Sequence, residues 1–233
     1  MYTVAIIPAR GGSKGLQKKN IYPVAGKPLL SWTIQQALAS KSIDKVFVST
    51  DSLIISSIAR EYGAEVIERP AKLAGDKSSS ESAISHALEV IEVEYDMPVS
   101  TVVFLQATSP LRKPGDIDTA VEVFRREGAD SLISVTKADD LTLWESREGK
   151  WESVNFDYRH RGMRQDRPTQ FIENGSIYIF TPETLASFGN RIGEKLSTYQ
   201  MEFWQTWEID TLEEIDLIQY YMFKKNLIEQ DED

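Results

Sequence analysis

Short apolar runs alternate with longer stretches of helical period along most of this chain. TVAII, KVFVST, AEVIE, TVVFLQ and SLISVT are short, apolar and bounded by polar or turn residues, and each predicts a buried strand. Between them PLLSWTIQQALAS, SLIISSIAREYG, SSESAISHALEVIEVEY and GDIDTAVEVFRREG predict helices. The third is the clearest. Ile84, Ala87, Leu88 and Ile91 recur at i, i+3, i+4 and i+7, and Ser78 with Glu81 has the spacing of a capping box. Such alternation predicts βαβ units, a mainly parallel central sheet with helices on both faces, and ligands at the carboxyl ends of its strands.

The alternation stops from about Leu143 to Glu173. A polar, aromatic and arginine-rich stretch with Gly149 and Gly162 takes over, too long for an ordinary connection. It reads as an excursion from the core, a β-hairpin or a dimerisation arm. NGSIYIF then resumes a strand, and TLEEIDLIQYYMFKKNL closes as a helix opened by a second capping box, Thr211 with Glu214; the tail EQDED reads as frayed. A length of 233 residues fits one large domain spanning 1–233.

Composition narrows the function classes. The formal net charge of -10 argues against a general nucleic-acid or anionic-membrane surface, which needs an extended positive potential. No apolar run approaches the ~18 residues of a membrane span, and the start MYTVAIIPAR lacks the pattern of a signal peptide. Zero cysteines exclude disulfides, thiolate nucleophiles and Cys-ligated metal, which fits a cytoplasmic location. Two cationic islands stand out in this acidic chain and suggest small anionic ligands: the opening loop, and RHRGMRQDR with Arg159, Arg161, Arg164 and Arg167.

The opening loop, Pro8-Ala9-Arg10-Gly11-Gly12-Ser13-Lys14-Gly15, sets small residues where backbone N–H groups can converge on an anion, while Arg10 and Lys14 supply charge. This is a polyphosphate-binding design, although it is neither a P-loop nor a G-x-G-x-x-G turn; a basic surface turn is the plain alternative. Near the other end, WEIDTLEE holds Glu208 and Asp210 two apart in an extended segment, hence on one face, as suits an octahedral Mg²⁺. An acidic strand end is the alternative there. His86 reads as a packed or solvated helix residue and His160 as exposed, and no hydrolase triad or histidine metal cluster is visible.

PARGGSKGLQKKN, STD at Ser49 to Asp51, RPAKLAGDKSSS, LQATSPLR, RQDRP, ENGSIY and EID, in this order, resemble the CMP-nonulosonate synthetases, the acylneuraminate cytidylyltransferase family. The resemblance spans nearly the whole chain. It implies a Rossmann-like nucleotidyltransferase fold and transfer of a cytidylyl group from CTP to the anomeric hydroxyl of a nine-carbon 2-keto sugar acid, with pyrophosphate released. It further implies that Arg10 and Lys14, with Gly11 and Ser13, hold the triphosphate, that Lys19 stabilises the α-phosphate and that Asn20 orients the nucleotide. Arg69 and Ser80 match positions that contact base or ribose. Gln106, Arg164, Gln165 and Glu173 match the sugar side, where the Arg164 guanidinium suits a carboxylate. Asp210 and Glu208 match the Mg²⁺ (or Mn²⁺) ligands, though the family usually has Asp where Glu208 stands. A homodimer paired through the excursion is implied as well. Trp144, Trp151, Phe156, Tyr178 and Trp204 are candidates to line the sugar pocket, or to serve as core and interface. An enzyme for the eight-carbon acid Kdo is a rival within the class, against which SKG and ENGSIY favour the nine-carbon branch. A catalytically inactive nucleotide-binding scaffold of the same fold is a rival of another class.

Overall fold

A computed structural model of the chain describes residues 1–12, 15–75, 78–138 and 141–228, with the side chain of Arg164 excepted. In chain order come β1 (Tyr2–Pro8), β2 (Pro23–Val24), β3 (Lys27–Pro28), α1 (Leu29–Ala39), β4 (Lys45–Thr50), α2 (Leu53–Glu61), β5 (Glu65–Glu68) and α3 (Ser80–Glu94). There follow β6 (Val99–Leu105), α4 (Asp116–Glu127), β7 (Ser131–Lys137), β8 (Trp144–Arg147), β9 (Lys150–Ser153), β10 (Phe171–Phe180), α5 (Pro182–Phe188), β11 (Leu196–Met201) and α6 (Leu212–Lys224). Seven strands form one sheet in the order β11-β7-β10-β6-β1-β4-β5. Neighbours are parallel except β10, which is antiparallel to both β6 and β7.

The two faces of the sheet follow from the period-2 pattern of β1. Ala5 and Ile7 pack with Leu30 and Ile34 of α1, Ile55 and Ala59 of α2, and Ile117, Ala120 and Val121 of α4. Val4 and Ile6 pack on the opposite side with Ile84, Ala87, Leu88 and Ile91 of α3 and Leu185 of α5. Helices therefore cover both faces, as the alternation predicts. A third cluster joins Ile215, Ile218 and Met222 of α6 to Val24, Leu29 and Trp32, and so returns the C-terminal segment to the region beside the opening loop.

Four features depart from the sequence reading or escape it. The short α5 and the edge strand β11 have no strong apolar signal, and α5 is opened by Thr181, whose hydroxyl accepts from the Thr184 amide. The N-cap of α3 is Ser79, accepting from the Ser82 amide at 3.1 Å, and not Ser78. Glu81 does not close a box with Ser78, because its carboxylate takes two charge-assisted bonds from Arg191, at 2.6 and 2.9 Å. The hairpin β2–β3 turns through Ala25 and Gly26, both at positive φ. The capping box of Thr211 and Glu214 is present.

The excursion contains a hairpin, β8–β9, turning through Glu148 and Gly149 at φ 51° and 78°. Trp144 packs edge-on against Phe156 at 5.2 Å and near Tyr158 at 5.5 Å, while Arg159, Arg161 and Arg167 lie over these rings. Trp151 and Met163 are exposed. No helix among the described residues is long and apolar enough to cross a membrane. The tail EQDED lies outside the described residues.

Candidate active site

The carboxyl ends of β1 and β6 open into a cleft of about 350 Å³ that takes its walls from both ends of the chain. One wall is the opening loop. Its first residue continues the sheet, with the Ala9 amide on the Ser49 carbonyl at 2.9 Å. The Gly11 amide donates to Asp51 Oδ1 at 2.8 Å, and a Cβ on Gly11 would meet the Cβ of Ser52 at 3.0 Å. Arg10 Nη1 reaches the Gly75 carbonyl at 3.3 Å, bringing the loop beside the approach to α3. Asn20 is buried and braces the loop from below, its Nδ2 donating to the Arg10 carbonyl at 3.0 Å. Lys19 lines the cleft, whereas Lys18 is exposed. Ser13 and Lys14 lie outside the described residues.

The other wall comes from the segment before α6. Ile209 is fully buried and its amide donates to the Thr108 carbonyl at 2.9 Å, which fastens this extended segment to the loop after β6. Glu208 and Asp210 flank that buried residue, as the period of an extended chain requires. Lys19 Nζ meets Asp210 Oδ1 at 2.6 Å across the cleft. Glu208 is half-buried and Thr108 Oγ1 donates to its Oε2 at 3.4 Å. Burial pushes the Glu208 carboxyl above its ordinary value, Asp210 adds to the rise, and Thr108 and Lys19 oppose it. Sequence reasoning did not single out Thr108 or the reason for Gly15. A Cβ on Gly15 would sit 2.9 Å from the Asp210 carbonyl oxygen, so glycine here lets the two walls touch. Gly15→Val is expected to displace the loop from Asp210 and raise the KM for nucleotide about tenfold or more with little loss of thermal stability; an unchanged KM would show that the contact does not shape the cleft.

Gln106 lies on the same cleft floor at the end of β6. It faces a bulge in β10, where the register against β7 shifts between Glu173 and Tyr178. Gly175 in that bulge has φ 68°, and a Cβ there would come within 3.2 Å of Gln106 Oε1. Both the backbone and the neighbour therefore call for glycine in ENGSIY. Buried Asn174 sews the bulge together, its Oδ1 accepting from Ser134 Oγ at 2.5 Å and from the Ser176 amide at 3.2 Å. The Tyr178 hydroxyl donates to Glu173 Oε1 at 2.5 Å, and burial with that carboxylate holds the phenol far above its ordinary pKa. Behind the site, Arg112 is buried with all five guanidinium donors in use. They bond to Ser176 O twice, Gln106 O, Thr33 Oγ1 and Gln36 Oε1. Burial lowers its pKa to about 9. Nothing local in the sequence announces the partners of Arg112 that lie 64 to 79 residues away.

The other expected residues divide between the cleft and its surroundings. Ser80, first in α3, lines it. Arg69 is buried behind the loop, donating through Nε and Nη2 to the hydroxyl and carbonyl of Ser49 at 3.1 and 2.6 Å, and burial lowers its pKa. Gln165 is exposed on the excursion, outside the cleft lining, with its amide on Met163 Sδ at 3.6 Å. The side chain of Arg164 lies outside the described residues. Of the candidate aromatic residues none lines the cleft, and Trp204 belongs to the core around α6. Phe104 takes that place, stacked on Tyr178 at 5.3 Å. His86 Nδ1 is buried and unpartnered, and His160 is exposed beside Asp157. A second cavity of about 370 Å³ lies between α1, the start of α4 and the end of α6, and its buried cation is Arg112, whose donors are spent.

The carboxylates of Glu208 and Asp210 are the oxygen donors a hard divalent cation takes. Among the described residues no cluster of three or more His, Cys, Asp or Glu forms, so these two need ligand oxygens, such as those of a phosphate chain, to fill an octahedral shell.

A mainly parallel α/β sheet, with a basic small-residue loop and two carboxylates meeting at its strand ends, defines a protein of the nucleotide-binding α/β class. Comparison with known sequences narrows this. Residues 4–226 match the sequence profile of the family described as Cytidylyltransferase, and the chain belongs to that family. It is 35% identical over 187 residues to an N-acylneuraminate cytidylyltransferase of Oncorhynchus mykiss, a match covering 79% of this chain and 42% of the relative. It is 33% identical over 225 residues to an N-acylneuraminate cytidylyltransferase of Escherichia coli O18:K1:H7 (strain RS218 / NMEC), covering 96% of this chain and 52% of the relative. The chain thus spans about half the length of the curated relatives it matches. Among solved structures, a CMP:2-keto-3-deoxy-manno-octonic acid synthetase complexed with CTP superposes with a TM-score of 0.71 at 16% identity, over 97% of this chain and 100% of that one. A 4-diphosphocytidyl-2C-methyl-D-erythritol synthase from Anaerococcus prevotii DSM 20548 superposes with a TM-score of 0.67 at 15% identity, over 95% and 98% of the two chains. At these identities the structures speak for the fold, a Rossmann-like nucleotidyltransferase fold.

Proposed function

We propose that this chain transfers a cytidylyl group from CTP to a nine-carbon 2-keto sugar acid of the sialic, legionaminic or pseudaminic type, releasing pyrophosphate. The observation that carries the reading is the Lys19–Asp210 ion pair, 2.6 Å across one cleft, which joins the basic N-terminal loop to the C-terminal carboxylates. Identities of 33–35% to relatives named N-acylneuraminate cytidylyltransferases support the nine-carbon acid over Kdo.

In this reading the anomeric hydroxyl attacks the α-phosphorus in line, and the chain's contribution is positioning and charge stabilisation. Arg10, with Gly11, Ser13 and Lys14 of its loop, holds the triphosphate. Lys19 turns from Asp210 to the α-phosphate, where negative charge builds as the new bond forms. Asn20 holds the loop through the Arg10 carbonyl, and Arg69 holds the strand end behind it. Ser80 faces the nucleoside; Gln106 faces the sugar, and Arg164, Gln165 and Glu173 contribute from the excursion and the bulge. Asp210 and Glu208 would hold Mg²⁺ or Mn²⁺, which would supply Lewis-acid stabilisation of phosphate oxygens. The exposed aromatic and basic excursion supports pairing of two chains through it, consistent with Gln165 lying outside the cleft of its own chain. A cytoplasmic location fits the cysteine-free sequence.

The test is pyrophosphate release from CTP with a panel of sialic, legionaminic, pseudaminic and Kdo acids. Release with one or more nine-carbon acids, lost on EDTA treatment and restored by Mg²⁺, is expected. Measurable CTP binding with silence toward every acid would instead identify a scaffold.

A further inference from the structure

Arg191 lies in the turn between α5 and β11 and was not legible as a functional residue, yet it ties one wall of the cleft together. Its Nε and Nη2 bond to Glu81 Oε1 at 2.9 and 2.6 Å, and Nη2 also donates to Ser80 Oγ at 3.3 Å. Its guanidinium lies 4.6 Å from the ring centres of both Phe104 and Tyr178. Arg191 and Glu81 are largely sequestered, with side chains 14% and 22% exposed. Ser80 and Phe104 both line the cleft, and neither carries charge. They therefore suit the nucleoside part of a ligand whose phosphates are held at Arg10 and Lys19.

A serine hydroxyl has one proton and two lone pairs. When one lone pair accepts from a guanidinium that is itself fixed by a carboxylate and two rings, the cationic donor polarises the O–H and weakens the remaining lone pair, so the hydroxyl favours donating into the cleft. We propose that Arg191 is a specificity-determining positioning residue: it holds the Ser80 hydroxyl as a donor, so that the site takes a base presenting an acceptor there. Cytosine and uracil differ in this respect, since N3 of cytosine accepts and N3 of uracil carries a proton. Without Arg191 that polarisation is lost and the hydroxyl serves either base. The inference rests on the reading that the cleft binds a nucleoside triphosphate.

The experiment is calorimetric binding of CTP and UTP, without sugar, to the wild-type chain and to Arg191→Lys, Arg191→Met, Ser80→Ala and the double variant Arg191→Met/Ser80→Ala. Wild type is expected to prefer CTP. The CTP-to-UTP affinity ratio is expected to fall about tenfold in both Arg191 variants, the scale of one well-made hydrogen bond. Lysine gives no rescue, because it keeps the charge and the ring contact but not the fork. Ser80→Ala is expected to match them, and the double variant to lose nothing more. Should the Arg191 variants fold poorly, Glu81→Gln, which loosens the guanidinium, is expected to narrow the ratio in the same direction. A ratio unchanged in folded variants, or restored by lysine, overturns the inference, as does a wild type that binds both nucleotides equally. A wild type that binds no CTP overturns the functional reading itself.

Discussion

Asp210→Asn is expected to reduce kcat for pyrophosphate release by about 10²- to 10³-fold, the usual cost of losing one preorganised charge-stabilising group. The melting temperature should scarcely move. Asparagine keeps the shape and the backbone contacts of the segment, including the Asp210 amide on Glu214 at 2.5 Å and the carbonyl against Gly15. What it loses is the negative charge. That charge sits on a side chain 60% exposed, paired with a Lys19 side chain 17% exposed. Exposed ion pairs contribute only about 0–1 kcal/mol to stability, so the ion pair is a minor term in folding. In the proposed reaction the same carboxylate would be a cation ligand, and it is the partner that Lys19 meets across the gap. Stopped-flow or steady-state pyrophosphate release, read beside a thermal melt, separates the two roles. Full kcat in the asparagine variant would remove Asp210 from the reacting centre.

Arg112→Met is expected to show the reverse profile, a loss of about 3–5 kcal/mol in folding stability. Burying a guanidinium is costly, as the fall of its pKa to about 9 attests. The balance nevertheless favours arginine, because its removal strands acceptors on Ser176, Gln106, Thr33 and Gln36, of which Ser176 and Thr33 are fully buried. Each stranded group costs about 1–3 kcal/mol. Against a total of about 5–15 kcal/mol for a native protein, the loss is severe. Lysine should rescue little, since one ammonium cannot serve acceptors on β10, α1 and the end of β6 at once. Urea unfolding with the midpoint lowered and the slope unchanged is the expected result. A loss under about 1 kcal/mol would mean that the acceptors find other donors.

The legibility of this site in the sequence was uneven, and the unevenness has a physical pattern. Arg10, Lys19, Asn20, Ser80, Gln106 and Asp210 were legible, and the fold brings all six to one cleft. Arg10 and Asp210 stand in stretches whose local chemistry is unusual, small residues around cations and a carboxylate pair before a capped helix; Lys19, Asn20, Ser80 and Gln106 were marked out by the family resemblance. Arg112, Arg191 and Thr108 were not singled out for the roles they take, and Arg112 and Arg191 act on partners far away in the chain. Ser78 was misjudged for a related reason. A capping box is a local competition, and Glu81 was drawn from it by an arginine 110 positions later.

By itself the sequence determined the alternation of strands and helices, the mainly parallel sheet with helices on both faces that follows from it, and the family, because these depend on periodicity and on contiguous motifs. Only the tertiary structure decided that the loop after β1 and the carboxylates before α6 meet, with Gly15 against the Asp210 carbonyl and Lys19 against its side chain. It also decided which polar groups hold others in place. Hydrogen bonds between distant segments carry no periodic signature, and a buried arginine reads in the chain like a surface one until its acceptors have been folded around it.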